Sequence, residues 1–164
     1  MGSLPQGIHN AVCVGIVVIG TLKDKFGYHK KIVLLWEVCI DNYRKITSRE
    51  YTFSFDERAK LRKHLESWRG GAFTKEQLFK FQIRNVLGVP CRLEIRKFNI
   101  QKYVENVLPF PKNTKYPIPE SKYIYFDITD KKTYPDFKNV PLYLIDRMKQ
   151  SSEYEQSELN GIRF

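Results

Sequence analysis

A chain of 164 residues, 42% of them hydrophobic and 28% charged, has apolar material for one sizeable domain that buries on the order of 70% of its unfolded surface. No apolar run approaches the ~20 residues of a membrane span, and the run at 11–19 lacks a basic segment before it, which argues against a signal peptide. The net charge of +10 is lopsided, with 20 Lys/Arg against 10 Asp/Glu in residues 1–112 and 8 against 8 in residues 113–164.

A basic first part followed by a neutral remainder suggests a polyanion-binding module with an appendage, although ribosomal, membrane-surface or acidic-protein partners give the same imbalance. Residues 10–20 (NAVCVGIVVIG) are apolar and β-branched around Gly15, the pattern of a strand bent or bulged at its glycine. Residues 21–31 (TLKDKFGYHKK) read as a loop that sets Lys23, Lys25, Lys30 and Lys31 around Phe26 and Tyr28. The second strand, residues 29–40, is apolar on both parities except for Glu37. Its Trp36 shares a parity with Ile32, Leu34 and Val38 and is read as core in preference to a stacking platform in the groove, which stays the alternative. Asp41 and Asn42 form a turn, and residues 43–55, rich in threonine and aromatics, form a third strand. On it, Phe53 and Phe55 are expected inside and Tyr43, Arg44, Lys45 and Arg49 toward a groove, with Tyr51 open between the two.

A helical region spans 56–87. Ser54 and Glu57 have capping-box spacing, and Leu61, Leu65 and Trp68 recur on one helical face. Gly70 suits a left-handed helix end, and Thr74 with Gln77 repeats the capping box for a second short helix through Leu78 and Phe81. The intervening WRGG is therefore read as a corner packed on Trp68, and not as an Arg-Gly-Gly nucleic-acid box. Residues 89–98 alternate, with Cys91, Leu93 and Ile95 inward. A polar turn at 99–102 leads to a fifth strand at 103–108. Around that turn Lys97, Phe98, Lys102 and Tyr103 interleave cations and rings a second time.

Three strands, a helix and two strands follow the order of the OB-fold, a five-stranded Greek-key barrel with a helix between strands 3 and 4. Such barrels bind oligonucleotides across strands 2 and 3, flanked by the 1–2 and 4–5 loops. The candidate nucleic-acid site is then Lys23, Lys25, Phe26, Tyr28, Lys30, Lys31, Tyr43, Arg44, Lys45, Arg49, Tyr51, Lys97, Phe98, Lys102 and Tyr103. Ammonium groups meet phosphates and rings stack on unpaired bases. The competing reading of the first loop is a solvated hairpin whose Phe26 folds back onto the barrel.

The segments LLWE (34–37), EYTFSF (50–55), LRKHLESWRGGAFT (61–74), LGVPC (87–91), PFPK (109–112) and SSEY (151–154) together resemble a family of phage and prophage proteins, over roughly residues 7–155. The resemblance implies an OB-fold single-stranded DNA-binding protein used in replication or recombination, in the cytoplasm of a bacterial host. The chain departs from the family pattern at Gly71, where arginine is common, and residues 156–164 lie beyond it.

Residues 1–112 are thus expected to form the nucleic-acid-binding domain and 113–164 an extension that packs on the barrel or on another subunit. Residues 110–121 carry three prolines and should be extended. Residues 123–128 suit a further strand, and 141–150 a short helix with Leu142, Ile145 and Met148 on one side. The ending SSEYEQSELNGIRF faintly resembles the acidic, phenylalanine-terminated tails that recruit replication or recombination proteins, and is otherwise read as a flexible terminus. Cys13, Cys39 and Cys91 lie in apolar runs without CxxC spacing and are read as buried reduced thiols of a cytoplasmic protein. Scattered histidines argue against a metal site. Without a Walker loop, GxSxG, HExxH or a Cys-His pairing, no enzyme and no cofactor are expected. The expected activity is largely sequence-independent single-stranded DNA binding, with DNA against RNA and the oligomeric state left open. The alternative is a phage interaction or counter-defence protein whose basic barrel binds an acidic host protein.

Overall fold

One very long strand organises the sheet. The computed structural model describes residues 4–116 and 118–161. Strand β1 (Gly7–Asp24) pairs antiparallel with β2 (Gly27–Ile40), and β2 pairs antiparallel with β3 (Tyr43–Thr52). The other edge of β1 is shared. Its residues 7–12 pair antiparallel with β4 (Pro90–Phe98), and its residues 15–18 pair in parallel with β6 (Ile124–Asp127). Strand β5 (Gln101–Leu108) pairs with β4 and completes the order β3-β2-β1-β4-β5. Serving two partners on one edge requires β1 to bend, and register shifts at Cys13/Gly15 and Val18/Gly20 supply the bends. The bend expected at Gly15 is present, with a second one after it. The sheet is open but curls back on itself, bringing an Arg49 Nη1 of β3 to the carbonyl oxygen of Val104 on β5. The architecture is mainly β and barrel-like.

The expected loop at 21–31 is instead a continuation of β1 and β2, a two-stranded ribbon with Lys23 opposite Tyr28 and Thr21 opposite Lys30. The Asp24 carboxylate closes its tip by accepting the Phe26 amide at 2.8 Å, a local bond typical of aspartate in turns. At its other end β3 stops at Thr52, short of the expected residue 55. Ser54 Oγ takes the Asp56 amide and the Asp56 carboxylate takes the Arg58 amide, so the side chains fold this stretch into turns. The same turns displace the expected Ser54–Glu57 box. Helix α1 (Lys60–Arg69) begins behind Ala59 with no side-chain cap.

One face of the sheet encloses the first core. Ile32, Leu34, Trp36 and Val38 of β2 meet Leu61, Leu65 and Trp68 of α1 inside the curl. Trp68 is buried, its Nε1 donates to the Pro90 carbonyl at 2.9 Å, and its ring lies 6.2 Å from that of Trp36. Gly70 ends α1 at φ 80° while its own amide and that of Gly71 return to the Ser67 and Glu66 carbonyls. Helix α2 (Lys75–Lys80) then starts with both halves of the Thr74–Gln77 box in place. The WRGG stretch is a packing joint.

The opposite face carries the second core. Val33 and Leu35 of β2, with Val14, Val17 and Ile19 of β1, are covered by Phe126, Phe137, Ile145, Met148, Tyr154 and Leu159. The C-terminal segment therefore lies on the outside of the chain's own sheet, and β2 is apolar on both parities because both its faces are buried. Helix α3 (Leu142–Met148) buries Leu144, Ile145 and Met148 and leaves Leu142 exposed, a phase offset from the expected one. Of the ending read as a flexible terminus, Tyr154 and Leu159 are buried in the second core, and residues 162–164 lie outside the described residues. In and beside α4 (Ser152–Gln156), the Glu153 carboxylate accepts the Thr21 amide and hydroxyl at 2.7 and 2.9 Å, and Tyr154 is buried. Gly20 makes this docking possible. Its φ is 103°, and a Cβ there would lie 2.8 Å from the Ser151 side chain. Pro117 of the expected extended stretch and Phe164 of the expected tail lie outside the described residues.

Cys13 and Cys91 are buried, but Cys39, near the end of β2, is only half-buried. Burial pushes the Cys13 thiol up to about 12, against a smaller lowering from a backbone hydrogen bond with Gly15. Among the described residues no helix is long and apolar enough to cross a membrane.

Candidate nucleic-acid interface

The ribbon formed by β1 and β2 ends in exposed rings. Phe26 is 79% exposed and does not fold back onto the sheet. Lys25 Nζ lies 5.1 Å from the Phe26 ring centre, and Lys23 Nζ lies 6.0 Å from that of the exposed Tyr28. Asp24 stiffens the base of this tip. It accepts Lys31 Nζ at 2.7 Å and stands 3.1 Å from His29 Nδ1. The Lys31 ammonium first, then the Phe26 amide, hold the Asp24 carboxyl down to about 2.

Lys31 itself is only 7% exposed and donates also to Thr52 Oγ1 at 2.9 Å. Directly opposite Thr52 in the β2–β3 register, it clamps the ribbon to β3. That corrects its assignment as a phosphate contact, because its ammonium is already spent on Asp24 and Thr52. Lys30 is half-buried with its ammonium 5.2 Å from the Phe53 ring centre.

The β4–β5 hairpin ends in a second exposed tip. Asn99 takes a left-handed φ of 56°, and Phe98 and Ile100 stand 71% and 89% exposed. Lys97 pairs directly opposite Lys102, and Tyr103 is exposed beside them. This tip leans on the start of β3, where Lys45, Ile46 and Thr47 line a cavity of about 280 Å³ with Ile100, Lys102 and Tyr103. Ile100 was missing from the expected set. An isoleucine at the centre of a turn is the signal that could have found it.

Strand β3 joins the two tips. The ribbon meets it at Thr52 and the second tip at Lys45–Thr47, about 17–23 Å apart at ~3.3 Å per residue. Between them Arg49 donates to the Val104 carbonyl and lies 5.3 Å from the Tyr51 ring centre. Tyr51, left open between core and groove, belongs to the core. Its hydroxyl lies 2.6 Å from His64 Nδ1, and His64 Nε2 lies 3.0 Å from the Glu105 carbonyl. A carbonyl can only accept, so Nε2 carries the proton and Nδ1 accepts from Tyr51. Burial, reinforced by the charges of Arg49 and Lys60, lowers His64 to about 4 and keeps it neutral. Tyr43 is half-buried opposite Ile40, and Lys45 and Lys102 each have a partner within the chain. A further cavity of about 930 Å³ runs from Phe26 past Arg49 to Arg58 and Lys60, with Asp24, Glu50 and Asp56 also on its walls. Arg58 and Lys60 are the cations that the sequence reading missed. Arg58 lies just before α1 and Lys60 is its first residue, in a helix whose start was placed too early.

The outer face of β2 and β3, where the groove was expected, is occupied by the chain itself. Glu37, 3% exposed, accepts the Ser121 hydroxyl, the Glu120 and Ser121 amides at 2.9 Å each, and Arg44 Nη1 at 3.2 Å. Burial alone would raise its pKa, but these donors outweigh it and hold the carboxyl below its ordinary value. Arg44 also donates to the Ile118 carbonyl at 3.1 Å, so it fastens the C-terminal segment and does not line a groove. Tyr143 and Ser48 hydroxyls meet at 2.9 Å, and Arg147 grips Glu50 through two bonds of 2.9 and 3.0 Å. A lone glutamate in an apolar strand signals that some donors must cover it, since a buried carboxylate requires them, but not which ones.

Among the described residues no three His, Cys, Asp or Glu side chains gather closely enough to hold a metal ion. Compared with known protein families, characterised proteins and solved structures, the chain has no match.

Proposed function

We propose that this chain is a non-enzymatic, largely sequence-independent single-stranded DNA-binding protein of OB type, acting in phage or prophage replication or recombination. The β1–β2–β3 meander, the helix before β4 and the return of β5 toward β3 support the OB reading. The motif pattern read in the sequence supports the phage context. One observation carries the function: two basic hairpins flank β3, and each presents a large ring to solvent, Phe26 on one and Phe98 on the other. Free ring faces stack on any unpaired base, and each such contact is worth about 1–3 kcal/mol. With the outer face of β2 and β3 closed, the nucleic acid runs along the β3 edge, from Phe98, Ile100 and Tyr103 past Arg49, Arg58 and Lys60 to Phe26. Lys23, Lys25 and Lys97 are the exposed ammonium groups beside these rings. The chemistry needs no bond made or broken.

Anisotropy titration of a labelled oligo-dT of about 20 nucleotides, across a salt series, tests this. With about four phosphates neutralised, log affinity should fall with log salt at a slope of roughly −3. A duplex of the same length should bind much more weakly. Equal affinity for both, or binding indifferent to salt, sinks the proposal.

A further inference from the structure

A groove of about 670 Å³ opens at the α1–α2 corner, and no residue of either hairpin tip is among those that line it. It reaches Pro90 at the start of β4, about 26 Å along the strand from Phe98 at ~3.3 Å per residue. Trp68, Phe73, Phe81 and Phe110 give it an apolar lining, and Arg69, Lys80 and Lys112 are its cations. No aspartate or glutamate lines it. Arg69 is held in place by bonds of 2.9 and 2.8 Å to the Gly71 and Ala72 carbonyls, with its guanidinium 4.5 Å from the Phe73 ring centre. Lys80 pairs with the solvent-exposed Glu76, a contact easily exchanged for another carboxylate. The Lys112 side chain is exposed.

Charge complementarity calls for an anionic occupant, and the ring-lined floor calls for a bulky apolar group. The rings here differ from Phe26 and Phe98. Phe81 packs against Phe73 at 5.2 Å and edge-on against Phe55 at 5.6 Å, so these rings use one another and offer a recess in place of a free stacking platform. A recess suits a side chain better than a flat base. We propose that this groove docks an acidic peptide segment of a partner protein, one that inserts an aromatic or large aliphatic side chain while its carboxylates meet Arg69, Lys80 and Lys112. The proposal does not rest on the DNA-binding reading, since it uses a different surface.

The test uses the full chain and three fluorescein-labelled peptides of about ten residues each, alternating aspartate with phenylalanine, aspartate with alanine, or lysine with phenylalanine. Saturable binding is expected for the first, with the second at least about tenfold weaker and the third not bound. Lys80→Glu combined with Lys112→Glu changes two exposed side chains and should weaken the first peptide by about tenfold or more, in line with the effect of a charged cleft on association. Phe110→Ala should weaken it through the apolar wall, and Phe26→Ala should leave it unchanged. Binding that ignores the charge reversal, or equal binding of the lysine peptide, overturns the proposal. Displacement of the peptide by oligo-dT would make the groove part of a nucleic-acid surface. Self-association that the double reversal abolishes, with no peptide bound, would assign the groove to a second copy of the chain.

Discussion

The α1–α2 corner and the tip of the β1–β2 ribbon are built from the same ingredients and end in opposite states. One reads Trp68-Arg69-Gly70-Gly71 and the other Lys25-Phe26-Gly27-Tyr28. In the corner the tryptophan is buried with its N–H on a carbonyl, whereas at the tip the phenylalanine stands in solvent. What differs is the wall available to each ring. Trp68 shares a helical face with Leu61 and Leu65 and has the sheet beneath it. Phe26 sits where a two-stranded ribbon has outrun the layers that could cover it. Aromatic and basic composition therefore does not mark a contact site; composition plus a missing second layer does.

The largest expected effect tests the covered side of this contrast. Trp68→Ala should cost about 3–5 kcal/mol, as large aromatic truncations in cores do, measured by urea unfolding. A variant of near-normal stability would show that the corner is not a joint.

The buried Tyr51–His64–Glu105 chain gives the next effect, through pH. Burial lowers His64 from its ordinary value of 6.5, which holds when unfolded, to about 4 when folded. Its contribution to stability is therefore intact above pH 6.5, where both states are neutral. It is lost as pH falls from 6.5 toward 4, because the unfolded state binds the proton first. Roughly 2–3 kcal/mol should go over that window. His64→Gln should flatten the urea midpoint between pH 7 and 4.5, and an unaltered pH dependence would remove His64 from the account.

Much of the fold was legible because local chemistry and packing agree along this stretch of chain. Gly70, the Thr74–Gln77 box, the Leu61–Leu65–Trp68 stripe and the bend at Gly15 each follow from residues within a few positions. Contacts that join distant segments were not legible. Nothing near Glu37 announces that residues 120 and 121 will supply its donors, and nothing near Ser48 or Glu50 announces Tyr143 and Arg147. Of the site, the two exposed tips could be read from interleaved rings and lysines. Lys31 and Tyr51 could not be separated from their neighbours, because their partners Asp24, Thr52 and His64 are fixed only by strand register and helix packing.

Lys31 and Lys30 sharpen the contrast within one strand. Lys31→Glu should lower stability by setting a second carboxylate against Asp24, whereas Lys30→Glu, at a half-exposed position, should change it less. Thermal unfolding of the two variants side by side distinguishes them, and equal losses would mean that the Asp24–Lys31–Thr52 clamp carries no weight. The linkage of Asp24 has a definite sign. Its carboxyl is depressed to about 2 in the folded state, so the stability it contributes is present above its unfolded value near 3.8 and fades as pH falls through about 2.

The smallest effect on the fold belongs to the uncovered rings, and it bears most directly on the central claim. Phe26→Ala with Phe98→Ala removes two side chains that touch little, so stability should stay within about 0.5 kcal/mol of the parent. If these rings stack on bases, each contributing about 1–3 kcal/mol, affinity for a labelled oligo-dT should fall by about tenfold or more. Oligo-dC should lose as much, while weak duplex binding should barely move. A folded double variant that binds oligo-dT as tightly as the parent would contradict the account.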